Sequence, residues 1–388
     1  MTVVRVTWPD IVGLVDQHPR LAAGKFQTDA TRAATRIAGA APNPTLEGTV
    51  GHGRAQTGDA SRVEWGLSLS VPLGWLVQRG SRIKAAEAEV DVAMAEGMAL
   101  RREVLLQLRT LFWRLAYEQA RVVSLGALDA QTLHLAQTVK RRAEKGEARP
   151  VEATRVEIEL ERVATELEAA RTALTSRQAA LALWLGSPAG KTIVASVDLS
   201  VLPSALDRET ALSRTRATHP AVAAARARTL ALAAELYSEN LARVPAFSLA
   251  GFSANELDRR AYGVGLAVTL PLWNWNSGGI AQAEAKLAAG RKQTEAMSLD
   301  VETTVIEVQA ACQASVVTAA RLGSNMVPRS ETVTSVMERT YQLGEASLLE
   351  VIDSRRTLLE AKRLHLSALA QAQIDCTRLG VLVGEELP

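Results

Sequence analysis

Two long helical patterns meet at Tyr341-Gln-Leu-Gly-Glu-Ala-Ser-Leu-Leu-Glu-Val-Ile-Asp-Ser-Arg355. Gly344 can adopt the positive φ that ends a helix at little conformational cost. Glu345 and Ser347 follow it, and their side-chain oxygens can accept hydrogen bonds from the exposed N–H groups that open the next helix. The stretch therefore predicts the tip of a helical hairpin.

A closely related stretch lies much earlier in the chain, at Lys145-Gly-Glu-Ala-Arg-Pro-Val-Glu152. Its Gly146 precedes Gly344 by 198 residues, and His18 precedes His219, which also stands before a proline, by 201 residues. Offsets this similar at such distant places predict one structural design written twice. We expect a first repeat at residues 1–188, a linker at 189–206 and a second repeat at 207–388.

Each repeat carries a predicted strand hairpin. Between residues 62 and 71 every odd position is apolar and every even position is polar or glycine, and residues 262–270 alternate large with small side chains. A period of two over about ten residues indicates β-strands. We place the strand hairpins at about 45–71 and 246–270, and long helical hairpins at about 77–184 and 280–383.

The helical patterns are unusually long. The first runs from about residue 77 to about residue 143, which corresponds to about 100 Å of helix at 1.5 Å per residue. Apolar residues make up 47% of the chain and aromatic residues only 4%. This composition suits closely packed, coiled-coil-like helices better than a large globular core. The predicted fold class is therefore mainly α, with a β part built from the strand hairpins.

Composition and motifs exclude several functions. The formal net charge of +2 gives no electrostatic surface for nucleic acid. The histidines show no metal-ligand spacing, and we find neither a phosphate-binding loop nor a Ser/His/Asp arrangement. We therefore expect no metal, no cofactor and no enzymatic activity.

The two cysteines, Cys312 and Cys376, each lie 32 residues from Gly344. An antiparallel hairpin would bring them to the same height, where a disulfide can form in an oxidising compartment. The default expectation is two small buried residues without a bond.

The strands offer a route into a membrane. No run of about 20 apolar residues exists, so the sequence predicts no membrane-spanning helix. Four strands with one apolar face would leave their edges unpaired in lipid, whereas three chains would supply twelve strands for a closed barrel. Trp75, Trp273 and Trp275, just past the strands, are placed for an aromatic belt at the membrane interface. A soluble sheet buried on one face is the alternative.

The N-terminus lacks the basic region and the apolar region of a signal peptide. We therefore expect a cytosolic protein, or else a mature or truncated form of a longer one.

The most specific motif is Tyr341-x-x-Gly344-x-x-x-x-x-Glu350-x-x-Asp353, with the helix Thr357-Leu-Leu-Glu-Ala-Lys-Arg363 behind it. With the His-Pro pair in each half and the two glycine tips, it makes the chain similar to the TolC-like outer-membrane factors of tripartite export systems. The resemblance covers essentially the full chain. Residues 146–157, Gly-Glu-Ala-Arg-Pro-Val-Glu-Ala-Thr-Arg-Val-Glu, are most similar to the CzcC-like branch that serves heavy-metal pumps.

The resemblance implies a homotrimeric channel with a transmembrane twelve-stranded β-barrel in the outer membrane and a twelve-helix tunnel in the periplasm. The implied partners are outer-membrane lipid, a periplasmic adaptor (membrane fusion) protein and an inner-membrane pump of the RND type. The channel would conduct substrate passively, with heavy-metal cations as the expected cargo. The sequence departs from the family pattern in lacking a signal sequence and an N-terminal lipidation cysteine. The alternative function is a periplasmic adaptor or another soluble coiled-coil interaction protein.

Glu350 and Asp353 lie three residues apart, hence on one face of the returning helix. The resemblance implies that acids at these positions form the closed periplasmic constriction and that Tyr341 helps to hold it shut. In a trimer they would form a ring of six carboxylates, which would attract cations and raise some carboxylate pKa values. The alternative is that they only complement the helix dipole.

The residues expected to meet the adaptor are those of the two turns, namely Lys145, Gly146, Glu147, Leu343, Gly344 and Glu345. Salt bridges from Arg155, Arg355 and Arg356 to acids such as Glu152 could join neighbouring hairpins, although surface ion pairs contribute little.

Overall fold

The computed structural model describes residues 2–54, 61–186, 191–256 and 259–384. These residues fall into two units. The first contains Met1–Ala22, Ala99–His219 and Asp300–Pro388, and the second contains Ala23–Met98 and Pro220–Leu299. Each unit combines segments from both halves of the chain, so the division into repeats at 1–188 and 207–388 stays a prediction.

The described residues are mainly helical. The elements, in chain order, are β1 (Thr2–Val6), α1 (Trp8–Val15), α2 (Pro19–Gly39), β2 (Thr45–Arg54), β3 (Ser61–Pro72), α3 (Trp75–Glu144), α4 (Pro150–Trp184), β4 (Lys191–Ala195), α5 (Arg208–Thr218), α6 (Pro220–Leu241), β5 (Ala246–Asn255), β6 (Arg260–Thr269), α7 (Ser277–Arg321), a π-helical turn (Leu322–Met326), α8 (Val327–Gln342) and α9 (Leu348–Val383). Within the described ranges, no helix is both long enough and apolar enough to cross a membrane.

The second unit contains a four-stranded antiparallel sheet with the order β2-β3-β5-β6. Strand β3 covers the alternating run at 62–71, and β6 covers all but the last residue of the run at 262–270. The register places Leu69 of β3 opposite Leu46 of β2 and Gly251 of β5. Among the described strands, β2 and β6 each pair along one edge only. The two strand hairpins therefore form one sheet with two free edges.

The register gives this sheet two different faces. One face carries large apolar side chains that are exposed on all four strands, up to 88% at Tyr262. The other face carries mostly small or polar residues, with Phe252 as an exception. An exposed apolar surface of this extent is typical of a protein or membrane contact. The apolar face, as we call it below, consists of Leu46, Val50, Val63, Trp65, Leu67, Leu69, Val71, Phe247, Leu249, Tyr262, Val264, Leu266 and Val268.

The first unit contains the ends of both long helical hairpins. Helix α3 turns into α4 at Gly146, and α8 turns into α9 at Gly344, where φ is 75° and 83° respectively. In the second turn the N–H of Glu345 donates to the carbonyl of Thr340 at 2.9 Å, which closes the end of α8. The positive φ predicted at Gly344 is confirmed, since only this conformation lets the chain reverse there without strain.

The core of the first unit joins the N-terminal helix to the long helices. Trp8 and Ile11 of α1 lie in one buried cluster with Phe112 of α3, Leu181 of α4 and Leu369 of α9. These side chains are at most 6% exposed. Since each long helix contributes only a narrow apolar stripe, burial requires several helices to pack side by side.

The linker predicted at 189–206 contains regular structure, so its interpretation as an aperiodic segment is wrong at Lys191–Ala195. Strand β4 pairs in parallel with β1, with Ile193 opposite Val4. Ile193 and Ala195 are 2% and 8% exposed and pack into the core of the first unit. Five residues are too few to show a period, and the partner strand lies 189 residues earlier in the chain.

The helix predicted at about 280–341 is interrupted by the π-helical turn Leu322–Met326. Pro328 is the physical cause, because proline has no N–H to donate and its ring clashes with the carbonyl four residues earlier. A proline inside a helical pattern is a sequence signal for such a break.

Cys312 of α7 and Cys376 of α9 form a disulfide, with their Cα atoms 4.8 Å apart. The default expectation of two unbonded cysteines is wrong. Both residues lie in a second buried cluster that includes Val305, Val308 and Leu379. Their equal spacing from the tip gave the same height correctly, but spacing alone could not show that both side chains face each other.

Candidate functional site

The two hairpin tips lie next to each other in the first unit. Behind them, Val139 of α3, Val156 of α4, and Leu348 and Ile352 of α9 form a buried apolar cluster, which we call the tip cluster. The turn residues in front of it are exposed, as adaptor-contacting residues would have to be: Lys145, Gly146, Glu147, Leu343, Gly344 and Glu345.

Tyr341 lies half-buried at the edge of the tip cluster. The guanidinium carbon of Arg142, on α3, is 5.5 Å from the centre of the Tyr341 ring, a distance at which a cation and an aromatic face attract each other. Burial is the main cause that raises the pKa of Tyr341, so its hydroxyl stays protonated and available for hydrogen bonding. The residue therefore joins the tips of the two hairpins.

Glu350 belongs to the cap of α9. Its carboxylate accepts hydrogen bonds from the backbone N–H of Ser347 at 2.7 Å and from the Ser347 hydroxyl at 2.8 Å. In return, the hydroxyl of Ser347 accepts from the backbone N–H of Glu350 at 3.3 Å, which completes a capping box. The bonds from Ser347 hold the pKa of Glu350 below its usual value. The capping role that the sequence left open for this acid is present in the single chain.

Glu350 and Asp353 share the exposed side of α9. Both are exposed, whereas Val351, Ile352 and Ser354 between and beside them are at most 6% exposed. The spacing of three residues predicted a common face, and the burial pattern places that face away from the tip cluster. Two carboxylates therefore point to the same side of the helix, one engaged in the cap and the other a turn further on.

Arg356 connects α9 to the other hairpin. Its Nε donates to Oε2 of Glu159 on α4 at 3.0 Å, and Arg162 donates to Oε1 of the same carboxylate at 2.8 Å. The side chain of Glu159 is only 8% exposed. Burial acts to raise its pKa, but the hydrogen bonds and charges of the two arginines outweigh burial and lower the pKa overall.

Glu159 was missed by sequence reasoning. The expected acid was Glu152, which instead pairs with Arg149 in its own turn at 2.8 Å. Glu159 stands in a glutamate-rich helix where residues 157, 159 and 161 are all acidic. The only signal was periodicity, because Glu159 falls three residues after Val156 and four before Val163, which are both buried.

Arg355 acts mainly inside the second hairpin. Its Nε donates to Glu338 of α8 at 2.8 Å, and its Nη1 donates to the backbone carbonyl of Gln131 on α3 at 3.3 Å. Together with Arg356 it gives α9 polar contacts to three other helices. The third arginine considered from sequence, Arg155, has no contact that bears on this arrangement.

The predicted interface tryptophans lie in the second unit. Trp273 and Trp275 are 93% and 57% exposed, and Trp75 is partly covered, with the guanidinium of Arg79 5.9 Å from its ring centre. All three follow within six residues of the ends of β3 and β6. Their exposure at the end of an apolar sheet is unusual for a water-facing surface.

Residues 12–187 and 211–385 match the family model described as outer membrane efflux protein. The chain belongs to this family. It is therefore an efflux channel protein of the outer membrane and not an enzyme, and the resemblance drawn from its motifs is confirmed. The match covers most of both predicted repeats, which the alternative of an adaptor with one helical hairpin does not explain.

Individual relatives agree with the family assignment. Over 370 residues the chain is 28% identical to the cobalt-zinc-cadmium resistance protein CzcC of Cupriavidus metallidurans, a match that covers 94% of this chain and 86% of CzcC. The solved outer-membrane channel OprN has the same fold, with a TM-score of 0.82 and 16% identity over 97% of this chain and 90% of that one. CusC gives a TM-score of 0.81 at 16% identity over 97% and 91%.

Proposed function

We propose that three copies of the chain form a closed channel, with their sheets joined into a twelve-stranded barrel in the outer membrane and their long helices into a periplasmic tunnel. The observation that carries this proposal is the sheet of the second unit. It combines an exposed apolar face with two unpaired edges, at β2 and β6. In hydrocarbon, every backbone polar group needs a partner, so such a sheet has to close on copies of itself.

The dimensions of the sheet agree with this role. Its strands contain 10 to 12 residues, and a tilted transmembrane strand needs about 9 to 11. The apolar face would contact lipid, and the small and polar face would line the lumen. Trp75, Trp273 and Trp275 would lie at the lipid–water interface, where indole rings are favoured.

The tips would be the end at which the channel receives its cargo. Residues 145–147 and 343–345 are exposed and bind no other part of the described chain through side chains except for Glu147, which lies 4.0 Å from Arg142. We assign them to contacts with a periplasmic adaptor, which would link the channel to an inner-membrane pump of the RND type. The channel itself has no energy source and would conduct passively.

The exposed carboxylates of Glu350 and Asp353 would form the constriction. Three chains would bring six carboxylates to one level of the tunnel, where they would favour cations. The contacts of Tyr341 with Arg142 and of Arg356 with Glu159 hold the second hairpin against the first and would keep this constriction closed. Heavy-metal cations are the proposed cargo, because a cation-selective entrance suits them and CzcC, by its name, confers resistance to cobalt, zinc and cadmium.

Single-channel conductance in a planar bilayer tests this function. Wild-type protein purified in detergent should give small, cation-selective currents that added divalent cations reduce. Glu350→Gln/Asp353→Asn should increase the conductance and reduce the sensitivity to divalent cations. Glu360→Gln is the matched control, since Glu360 is an exposed acid of α9 that pairs with Arg363 in its own helix at 2.6 Å.

Two outcomes would count against parts of the proposal. Wild-type currents that the double substitution leaves unchanged would keep the channel and remove the carboxylate gate. A protein that stays monomeric without detergent and never conducts would remove the barrel.

A further inference from the structure

The π-helical turn is a weak point in an otherwise continuous helix. The N–H of Val327 donates to the carbonyl of Leu322, five residues back, because Pro328 disturbs the normal pattern. The side-chain amide of Asn325 donates to the carbonyl of Arg321 at 3.3 Å and so compensates for part of the lost bonding. Helix α9, which runs antiparallel to it, is uninterrupted over Leu348–Val383.

On one side of this turn the hairpin is firmly fixed. The disulfide joins Cys312 of α7 to Cys376 of α9, ten residues before the turn begins. Nearby, the side-chain amide of Gln309 donates to the carbonyl of Leu206 at 3.1 Å, and the indole of Trp113 donates to the buried hydroxyl of Thr377 at 3.2 Å. We call this part the fixed base.

On the other side, α8 and the first half of α9 are tied to each other. The hydroxyl of Thr334 donates to the carbonyl of Ser354 at 3.1 Å in a buried position. The ion pairs between Glu338 and Arg355 and between Glu331 and Lys362, at 2.6 and 2.9 Å, link the same two helices. These ties would make the tip half of the hairpin move as one body.

The turn also has room beside it. A cleft of about 580 Å³ lies against Val327, His365 and Leu366, with Ala120 and Val123 of α3 on its far side. At Gly323 the close packing of His365 requires a glycine, because an added Cβ would lie 2.7 Å from Nε2 of that imidazole. The cleft leaves space for α8 to shift, whereas the contact at Gly323 keeps the pivot in place.

We propose that the second hairpin bends at Leu322–Met326, with the disulfide marking the end of the fixed base. Motion of α8 is concentrated in the π-helical turn, and α9, being continuous, curves gently along its length. This assigns to the chain a pivot on the tip side of the disulfide. Its use for opening the constriction rests on the proposed function, but the bend itself does not.

Hydrogen–deuterium exchange of the full-length protein in detergent tests the pivot without requiring conductance. Amides of α8 at 329–342 should exchange faster than amides of the fixed base at 305–316. Deleting Gly323 removes one residue from the turn and should restore a regular α-helix, since a π-helical turn holds one extra residue. Exchange should then slow about tenfold over all of 329–342, because opening of this part becomes less favourable. Pro328→Ala keeps the chain length and should act in the same direction.

The fixed base is tested with Cys312→Ala/Cys376→Ala. Here exchange should increase at 305–316, and the deletion of Gly323 should not reverse this increase. Slowing confined to 322–327 in both turn variants would mean a local defect and would overturn the pivot. A base that exchanges as fast as α8 in the oxidised wild type would overturn it too. A protein that fails to conduct but shows the expected exchange would keep the pivot and lose the channel.

Discussion

At the scale of single residues, the contact between Arg356 and Glu159 matters most because it joins two hairpins through a buried carboxylate. Arg356→Ala should lower the free energy of unfolding by about 1 kcal/mol, since Arg162 continues to compensate the charge of Glu159. A double-mutant cycle with Glu159→Gln in urea titrations measures the coupling. Arg363→Ala with Glu360→Gln is the control, an exposed pair within one helix that should couple by only about 0.3 kcal/mol. Equal coupling in both cycles would contradict the special role of Glu159.

The same carboxylate predicts a pH dependence. The folded pKa of Glu159 lies below the ordinary value of 4.5, because its arginine partners outweigh burial. Its contribution to stability is therefore fully present above pH 4.5 and is lost as the pH falls through the folded pKa. We expect the stability difference between wild type and Glu159→Gln to shrink between neutral pH and about pH 3. A difference that grows on acidification would mean that burial dominates instead.

A third residue-scale prediction concerns the start of α9. Ser347→Ala removes one half of the capping box and should cost about 1 kcal/mol in the free energy of unfolding. Ser354→Ala, deeper in the same helix, is not a cap and tests whether any loss of a serine has the same effect. Exchange of amides 348–350 should rise in Ser347→Ala alone. If it does not, the hydrogen bonds of Glu350 are not what holds the first turn.

At the scale of elements, the disulfide closes a loop of 64 residues between α7 and α9. Loop-closure entropy gives it a stabilisation of about 4 kcal/mol. Cys312→Ala/Cys376→Ala should lower the thermal midpoint clearly, and reduction of the wild type should give a similar midpoint. The variant itself should not respond to the reductant. A variant as stable as the oxidised wild type would show that the two helices are held by their apolar cluster alone.

The sheet allows a test of two neighbouring positions. Leu67 lies on the apolar face and Ser68 on the opposite face of β3. If the apolar face contacts lipid, Leu67→Arg should reduce insertion into lipid vesicles by about 2 to 4 kcal/mol, depending on depth. Ser68→Arg, one residue away, should insert much better, because a lumen position stays wet. Similar losses in both variants would contradict the assignment of the two faces.

The elements that could be predicted from sequence are those that repeat a period many times. The run ending at Val71 shows five cycles of alternation, and the helices around Gly146 and Gly344 extend over dozens of residues. β4 could not be predicted, because its five residues gain order only from a strand at the other end of the repeat. The same applies to Glu159, whose partner Arg356 is 197 residues away, and to the facing of the two cysteines. Such features depend on which helix faces meet, and that is decided by packing.

At the scale of the whole molecule, the chain is an efflux channel protein whose two units divide the tasks of the site. The tip residues, the carboxylates of α9, the disulfide and the π-helical turn all belong to the first unit, and the apolar face and the tryptophans belong to the second. Substitutions at the tips should therefore change gating and partner contacts without changing insertion, and those on the sheet should do the reverse.

The sheet has an even number of strands, and this has a consequence for how many chains assemble. Since every neighbouring pair is antiparallel, β2 and β6 run in opposite directions. The free edge of one copy can thus pair antiparallel with the free edge of the next, whatever the number of copies in the ring. Strand pairing ensures closure but does not count subunits. The number three then has to come from the curvature of the barrel and the angles between the long helices, so variants of helix packing could change the mass of the ring while every strand remains paired.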